Sequence, residues 1–514
     1  MSWQKLPKEL RLQILEEVAN SDDHRNLPRL ARVCRDWQNF FEFLIYKHVV
    51  LDEDVLHAFE ATVAANRAKL AAVEAVTFRI KLPEYQYPQC LGPEDVDTTI
   101  SNNQAFTYQV LGLLDMLSGW HEIKSKGITL GLAVFTPSDN EHRFFFCEEE
   151  EDYPFQFEGD LQRSPNLLEY YQRNIWKSTR YICPSEYHYD LPNEIEEETR
   201  VCGEPLVFVR EGEFIPYLPR VPIVEHFSIR RQRFRSIGVC TVALIAFRCL
   251  TNVRSLRFER RAAQDVTLDI SERQSQAESL ILALGLHRSI RQLSFTEWTS
   301  FHSTLDFGWK PSMLRNAGIA RVFQYLTDFA TNCTGTVDHI LAEMTTPGMC
   351  QSLERLSLAP QSFNRKSSSQ HAMMDTIERS TEILPACPNL RVMELWGVKD
   401  GDGRIFRYKM DRGARRASIT WSTCRSDIPF LNRVVVKSWV DATTNIGAHP
   451  LAICTENIDE TELAMQINHG QPLLKYLELR HLLMHPLTLA EINAEDELMR
   501  IRGRRRLPRS NIEQ

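Results

Sequence analysis

The spacing of apolar residues changes character once along this chain. Over the first fifty residues it is helical. Leu10, Ile14 and Val18 recur at i, i+4 and i+8 with Leu15 beside them, which predicts one amphipathic helix. Pro7 sits where a first turn tolerates proline, and Glu9 suits the positive helix start. The polar run Ser21–Asn26 interrupts the pattern. A second helix is predicted after it, with Asn26 as cap and Pro28 in the first turn. Leu27, Leu30 and Cys34 share a face of that helix, with Val33 and Trp37 on its flank. A third segment, Asp36–Tyr46, carries Trp37, Phe40, Phe41, Phe43 and Tyr46.

Further along, a different pattern recurs: apolar, two spacers, apolar, one spacer, apolar. It stands at Val73–Phe78, Val224–Ile229, Val253–Phe258, Ile290–Phe295, Leu353–Leu358, Leu390–Leu395 and Leu474–Leu479. Alternation in the last three positions predicts a strand, and helix-period stretches such as Ala277–Leu286 and His371–Leu384 precede most copies. This is the logic of leucine-rich repeats, in which each unit buries its apolar face against its neighbours. The spacing is irregular. Leu256 to Leu293 and Leu356 to Met393 are both 37 residues, while other gaps are far longer. The fold class expected is α/β: three N-terminal helices, then an irregular leucine-rich-repeat-like α/β solenoid with insertions. An ordinary α/β domain with several parallel strands competes with it. Asp400–Gly403, DGDG, predicts a hairpin turn between strands at Met393–Trp396 and Ile405–Tyr408.

The expected domains are residues 1–50, residues 51–499 with a surface insertion around 145–220, and a disordered basic tail at 500–514. The tail reads RIRGRRRLPR, and a nuclear-import signal is a second use for it. EEEED at Glu148–Asp152 predicts a solvated loop. The apolar run Val239–Phe247 is far shorter than the roughly 20 residues a membrane helix needs.

Composition removes several functional classes. Hydrophobic residues are 43% and charged residues 25%, ordinary for a chain that buries a core. The formal net charge of −8 opposes a nucleic-acid footprint. Twelve cysteines with no CxxC pair, behind a start with no apolar leader, predict reduced, buried thiols in an intracellular protein, cytoplasmic or nuclear.

Catalytic motifs fail on inspection. His121-Glu122 opens an HExxH-like string with Ser at position 125, and Gly401–Gly403 opens a GxGxxG-like string with Phe406 in the last position. Ser138, Asp139 and His142 are too local for a hydrolytic triad and predict a capped turn whose side chains bond nearby backbone N–H groups. Neither a cofactor nor a metal site is expected, and the chain reads as a binding protein rather than an enzyme.

Leu6-Pro7, Glu9-Leu10, Ile14-Leu15, Leu30, Val33-Cys34 and Trp37 resemble, in order, the F-box. Tyr46–Leu51, Lys81–Tyr85, Thr136–His142 and Cys387–Trp396 with Phe406–Tyr408 and Trp421 resemble fungal F-box proteins in particular. The resemblance implies a three-helix surface that binds a Skp1-type adaptor, and with it a cullin ligase complex. Leu6, Pro7, Leu10, Ile14, Leu15, Leu30 and Val33 would form the adaptor face, with Cys34 and Trp37 structural. The repeat region would hold a protein target, with no membrane and no specific nucleic acid as partner. A scaffold that binds the adaptor without a ligase role is the alternative.

Overall fold

The computed structural model describes residues 3–21, 26–64, 66–86, 89, 94–138, 204–209, 217–230, 235–262, 287–299, 322–332, 334–346, 348, 350–364, 370–399, 402–424, 431–458, 471–486 and 488–489. Ala277–Leu286, the acidic run at 148–152, most of the 145–220 insertion and the basic tail lie outside these residues.

Three helices open the chain: α1 (Lys8–Ser21), α2 (Leu27–Leu30) and α3 (Arg35–Lys47). Pro7 precedes α1 rather than entering its first turn. The second helix is a single turn. Asn26 does not cap it, because its backbone is already helical (φ −91°, ψ −12°) and its side chain makes no cap hydrogen bond. Val33 and Cys34 therefore lie beyond α2, in the turn that leads into α3.

The remainder is mixed α/β. Its centre is an open twelve-stranded sheet whose strands stand side by side in chain order. They are β1 (His48–Leu51), β2 (Ala75–Lys81), β3 (Ile128–Phe135), β4 (Val224–Ile229), β5 (Ser255–Ala262) and β6 (Gln292–Thr299). Then come β7 (Asp328–Thr331), β8 (Arg355–Leu358), β9 (Val392–Lys399), β10 (Asp402–Asp411), β11 (Arg416–Thr423) and β12 (Leu451–Asn457). Neighbours from β1 to β9 are parallel, as are β11 and β12. Parallel neighbours need a crossover connection. Helices supply it: α4 (Glu53–Phe59), α5 (Arg67–Ala72), α6 (Val96–Ser118), and helices at Val239–Leu244, Thr334–Met344, Gln370–Arg379 and Arg433–Asn445. Only β10 runs against its neighbours. It faces β9 from Lys399↔Asp402 onward, the reversal that DGDG predicts, although residues 400–401 themselves lie outside the described ones.

Six of the seven apolar motifs fall on strands: β2, β4, β5, β6, β8 and β9. The 37-residue spacings are register pairs, Leu256↔Leu293 and Leu356↔Met393. Because side chains alternate across a strand, the last two apolar positions of each copy face the helices. One lateral row runs Phe78, Leu132, Ile229, Phe258, Phe295, Thr331, Leu358, Leu395, Phe406 and Trp421. Phe258 and Phe295 stack within it at 5.4 Å between centroids. The single spacer between those apolar positions faces the other way. That row runs Thr77, Gly131, Ser228, Arg257, Ser294, Ala330, Ser357, Glu394, Arg407, Thr420 and Cys454. One face of the sheet is thus an apolar core under helices, and the central row of the other is mostly small or charged.

The seventh motif is not a strand. Leu474–Leu479 joins two short helices, Gln471–Leu474 and Arg480–Leu483. Its apolar residues pack onto the polar face instead: Leu473, Leu474, Leu477, Leu479, Leu482, Leu483 and Met484 cluster with Ala330, Ala359, Trp396 and Ile405. The strand reading fails because the backbone N–H groups of Glu478 and Leu479 go to a side-chain carboxylate, that of Glu394, rather than to a ladder partner.

Val239–Phe247 is buried in the helix-side core over most of its length, with Phe247 exposed. Among the described residues, no helix is long and apolar enough to cross a membrane. The seven described cysteines are free thiols, but Cys34, Cys240 and Cys454 are exposed, so burial holds only for Cys249, Cys350 and Cys387 among the predicted set, with Cys424 intermediate. A hydrogen bond with Cys350, then burial, pushes the Cys387 thiol up, and burial pushes Cys249 up to about 12. Both stay protonated and unreactive at neutral pH.

Candidate partner-binding surface

The three N-terminal helices build a small core of their own. Leu15, Leu27 and Phe41 are buried, and Trp3, Val18, Leu30, Trp37, Phe40 and Leu44 pack around them. Trp37 joins the third helix to the start of the chain, with its ring 5.9 Å from Trp3 and 5.5 Å from Phe41. Trp3 Nε1 donates to Asp36 Oδ2 at 3.2 Å, and Arg11 pairs with the same carboxylate. Tyr46, at the end of α3, packs against the main core and takes a hydrogen bond from Lys69 of α5 at 3.2 Å. Glu74 N donates to Lys47 O at 2.7 Å, which fixes the end of α3 beside the start of β2. The helical unit is thereby tied to the edge of the sheet at β1.

What this core leaves uncovered is the outer side of α1. Leu10 and Ile14 of α1 lie on one face by helical spacing, and Leu6 and Pro7 stand just before the helix. Pro7 is exposed, Leu6 half-buried, Leu10 46% exposed and Ile14 40% exposed. Val33, in the turn before α3, is 60% exposed, and Cys34 beside it is exposed too. A scattered exposed leucine means little, but several on one face of a short helix form a patch of the kind that marks a partner site. Leu15 belongs to the interior instead, at 2% exposure, and Leu30 is half-buried against the same core. The exposed Leu12 and Phe43 were not singled out by spacing.

The division has a testable consequence. Leu15→Ala should cost about 2–5 kcal/mol, as for buried leucines in general. Leu10→Ala should stay within about 0.5 kcal/mol, as for surface positions. Equal losses in chemical denaturation would place Leu10 in the interior.

The polar face of the sheet is a second surface with built chemistry. The C-terminal segment 471–489 crosses it against the strand order. Arg407 of β10 donates from Nη2 to Tyr476 O at 2.5 Å. Glu394 of β9, fully buried, accepts from Glu478 N and Leu479 N, both at 2.9 Å, and from Arg407 Nε at 2.7 Å. Arg257 of β5 donates to His481 O at 2.5 Å. Glu259, also of β5, accepts from His485 N and from Thr488 Oγ1, the latter at 2.7 Å. Sequence reasoning missed these residues because the partners are up to 229 positions apart. The available signal was the spacer position of the motif, where Arg257 and Glu394 replace the Ser or Thr of the other four strand copies.

Burial, and then the nearby Arg230 and Arg257, hold the His485 imidazole well below its usual 6.5. His226, His287 and His481 are lowered too, each first by burial. A lowered folded value means that the unfolded chain takes the proton first as pH falls. Stability is therefore retained above 6.5 and lost from there down toward the folded values, by up to about 1.4 kcal/mol per pH unit for one fully shifted group. Denaturation midpoints at pH 7.5 and 5.5 should show the loss, and His485→Asn should reduce it. A midpoint that rises on acidification would contradict this sign.

The remaining sequence candidates resolve into structural roles. Ser138 is buried, and its Oγ accepts from Tyr85 N at 2.9 Å, so it pins the segment after β2 rather than a local turn. Asp139 and His142 lie outside the described residues. His121 and Glu122 stand exposed on a short 3-10 turn, His121 bonded to Ser118 O. Among the described residues, no three His, Cys, Asp or Glu side chains gather where they could hold a metal ion.

Residues 286–485 match a family of unknown function (DUF6546). The match runs from just before β6 through the C-terminal segment to His485 and stops short of the N-terminal helices. It covers less than half of the chain, so the likeness is to that region only. No curated protein matches the chain.

Proposed function

We propose that this chain is the substrate-recognition subunit of an SCF-type ubiquitin ligase. Its three N-terminal helices act as an F-box that binds a Skp1-type adaptor, and its sheet region acts as a leucine-rich-repeat-like solenoid that holds a protein target. The observation that carries the reading is the apolar outer face of α1, with Leu10 and Ile14 uncovered although the unit has its own core, and with Val33 bare in the adjoining turn. Strands laid side by side in chain order, each repeating the same apolar motif, support the repeat reading. The ties from α3 to α5 and to Glu74 support a fixed spacing between the two halves.

On this reading no bond is made or broken by the chain. It raises the local concentration of target beside the ubiquitin donor, which other subunits of the cullin complex carry. Full-length chain should be retained on immobilised Skp1-type adaptor. The triple variant Leu10→Asp, Ile14→Asp, Val33→Asp should bind at least about 100-fold more weakly, since central apolar anchors dominate such interfaces. Its denaturation midpoint should stay near the parent's, because all three side chains are exposed. Retention of the triple variant with parental affinity, or no retention of the parent, would remove the proposal.

A further inference from the structure

The contacts between the polar face and residues 471–489 have an unusual chemistry. Toward this segment the charged residues of the sheet bind mainly backbone, with side chains entering through Thr488 Oγ1 on Glu259 and Glu478 near Arg407. Glu394 takes two main-chain N–H groups, Glu259 takes one, and Arg257 and Arg407 each donate to a carbonyl. Recognition of this kind reads the path of a peptide and is indifferent to most of its sequence. Sequence enters through leucines that pack among Ala330, Ala359, Trp396 and Ile405. The segment also leaves the face incomplete. Ser294 Oγ and Thr296 Oγ1 on β6, beneath the helix Arg480–Leu483, are buried with no hydrogen-bond partner. Each of these hydroxyls carries a desolvation penalty that a polar group from an occupant of the face would relieve.

We infer that the polar face from β5 to β10 is a peptide-binding site whose resident occupant is the chain's own 471–489 segment, and that a partner segment can replace it. The partner is a protein segment with the same leucine spacing, Leu-x-Leu followed by Leu-Leu-Met, presenting two consecutive N–H groups to Glu394. It differs from the resident segment in carrying a polar side chain that reaches Ser294 and Thr296. This deepens the proposed function, because it rests on the sheet region being the target-holding half and names the class of target.

The test uses the full chain with a protease site placed within residues 459–470, cut after folding. The cut segment should remain bound through gel filtration and then exchange with an added dye-labelled peptide of sequence 471–489, one per chain. Glu394→Gln and Glu259→Gln should each speed release roughly tenfold, the usual cost of one charge-assisted hydrogen bond. A peptide with Leu479→Asp and Leu483→Asp should not exchange. A resident-sequence peptide bearing Ser or Asn opposite Ser294 should bind more tightly than the resident sequence. Unfolding or aggregation on cutting would show the segment to be an integral part of the core and would overturn the inference. So would a folded, cut chain that never exchanges, or exchange unaffected by both glutamate variants. Adaptor capture by the same cut chain reports on the N-terminal helices independently, so failure here is distinguishable from failure of the ligase reading.

Discussion

Glu394→Ala should lower stability by about 3–5 kcal/mol, the loss typical when one member of a buried charge pair is removed. The carboxylate is wholly buried and accepts three hydrogen bonds: from Arg407 and from the N–H groups of Glu478 and Leu479. Its removal strands a guanidinium that is only 10% exposed, together with two main-chain donors. Arg407 keeps its bond to Tyr476 O and more distant pairings with Glu456 and Glu478, so the fold should survive. The double variant Glu394→Leu, Arg407→Leu should lose less than the sum of the two single changes, since the partners share one network. Amide exchange at Glu478 and Leu479 should accelerate along with the drop in denaturation midpoint. A loss below 1 kcal/mol, with those amides still protected, would mean that the segment is held by its leucines alone.

Trp439→Ala should cost about 3–5 kcal/mol, the range for deleting a buried aromatic side chain. The reason lies in the one antiparallel strand. Because β9, β10 and β11 follow each other antiparallel without a crossover, no helix of their own is inserted to cover them. The helix Arg433–Asn445 reaches over instead, with Asn432 capping its start by accepting from Val435 N. Trp439 sits 5.0 Å from Phe406 and 5.2 Å from Tyr408, and its Nε1 donates to Ile377 O at 3.1 Å. Trp439→Phe should cost less, leaving a smaller hole and removing one of two hydrogen bonds to Ile377 O, which still accepts from Ser380 Oγ at 2.6 Å. Thermal or urea denaturation that finds the two variants equal would assign the loss to the hydrogen bond rather than to volume.

The architecture was legible wherever one face of an element is buried and the other is not. The apolar motif found six strands because Leu256 and Phe258, for example, point one way and Arg257 the other. It passed over β7, whose four residues are all buried and so show no alternation, and β3, whose last four are buried on both faces. It misread Leu474–Leu479 because leucines at strand spacing can also pack from a turn when the backbone finds side-chain partners. At the N-terminus, spacing predicted α1 but could not say which of Ile14 and Leu15 turns inward. Packing around Phe41 chooses Leu15. The charged residues of the polar face were invisible as a site because no local pattern connects Glu259 to Thr488 or Glu394 to Leu479.

The side-by-side order of the strands has a consequence for how the molecule is made. A chain emerging from its amino end offers each new strand an edge that already exists, so the sheet can grow one strand at a time during synthesis. Glu259 and Glu394 are then both in place while their face is still wet, and water solvates them until residues 471–489 arrive. The desolvation of these two carboxylates is thus deferred to a late step, when the peptide groups that replace that water come with the closing segment itself.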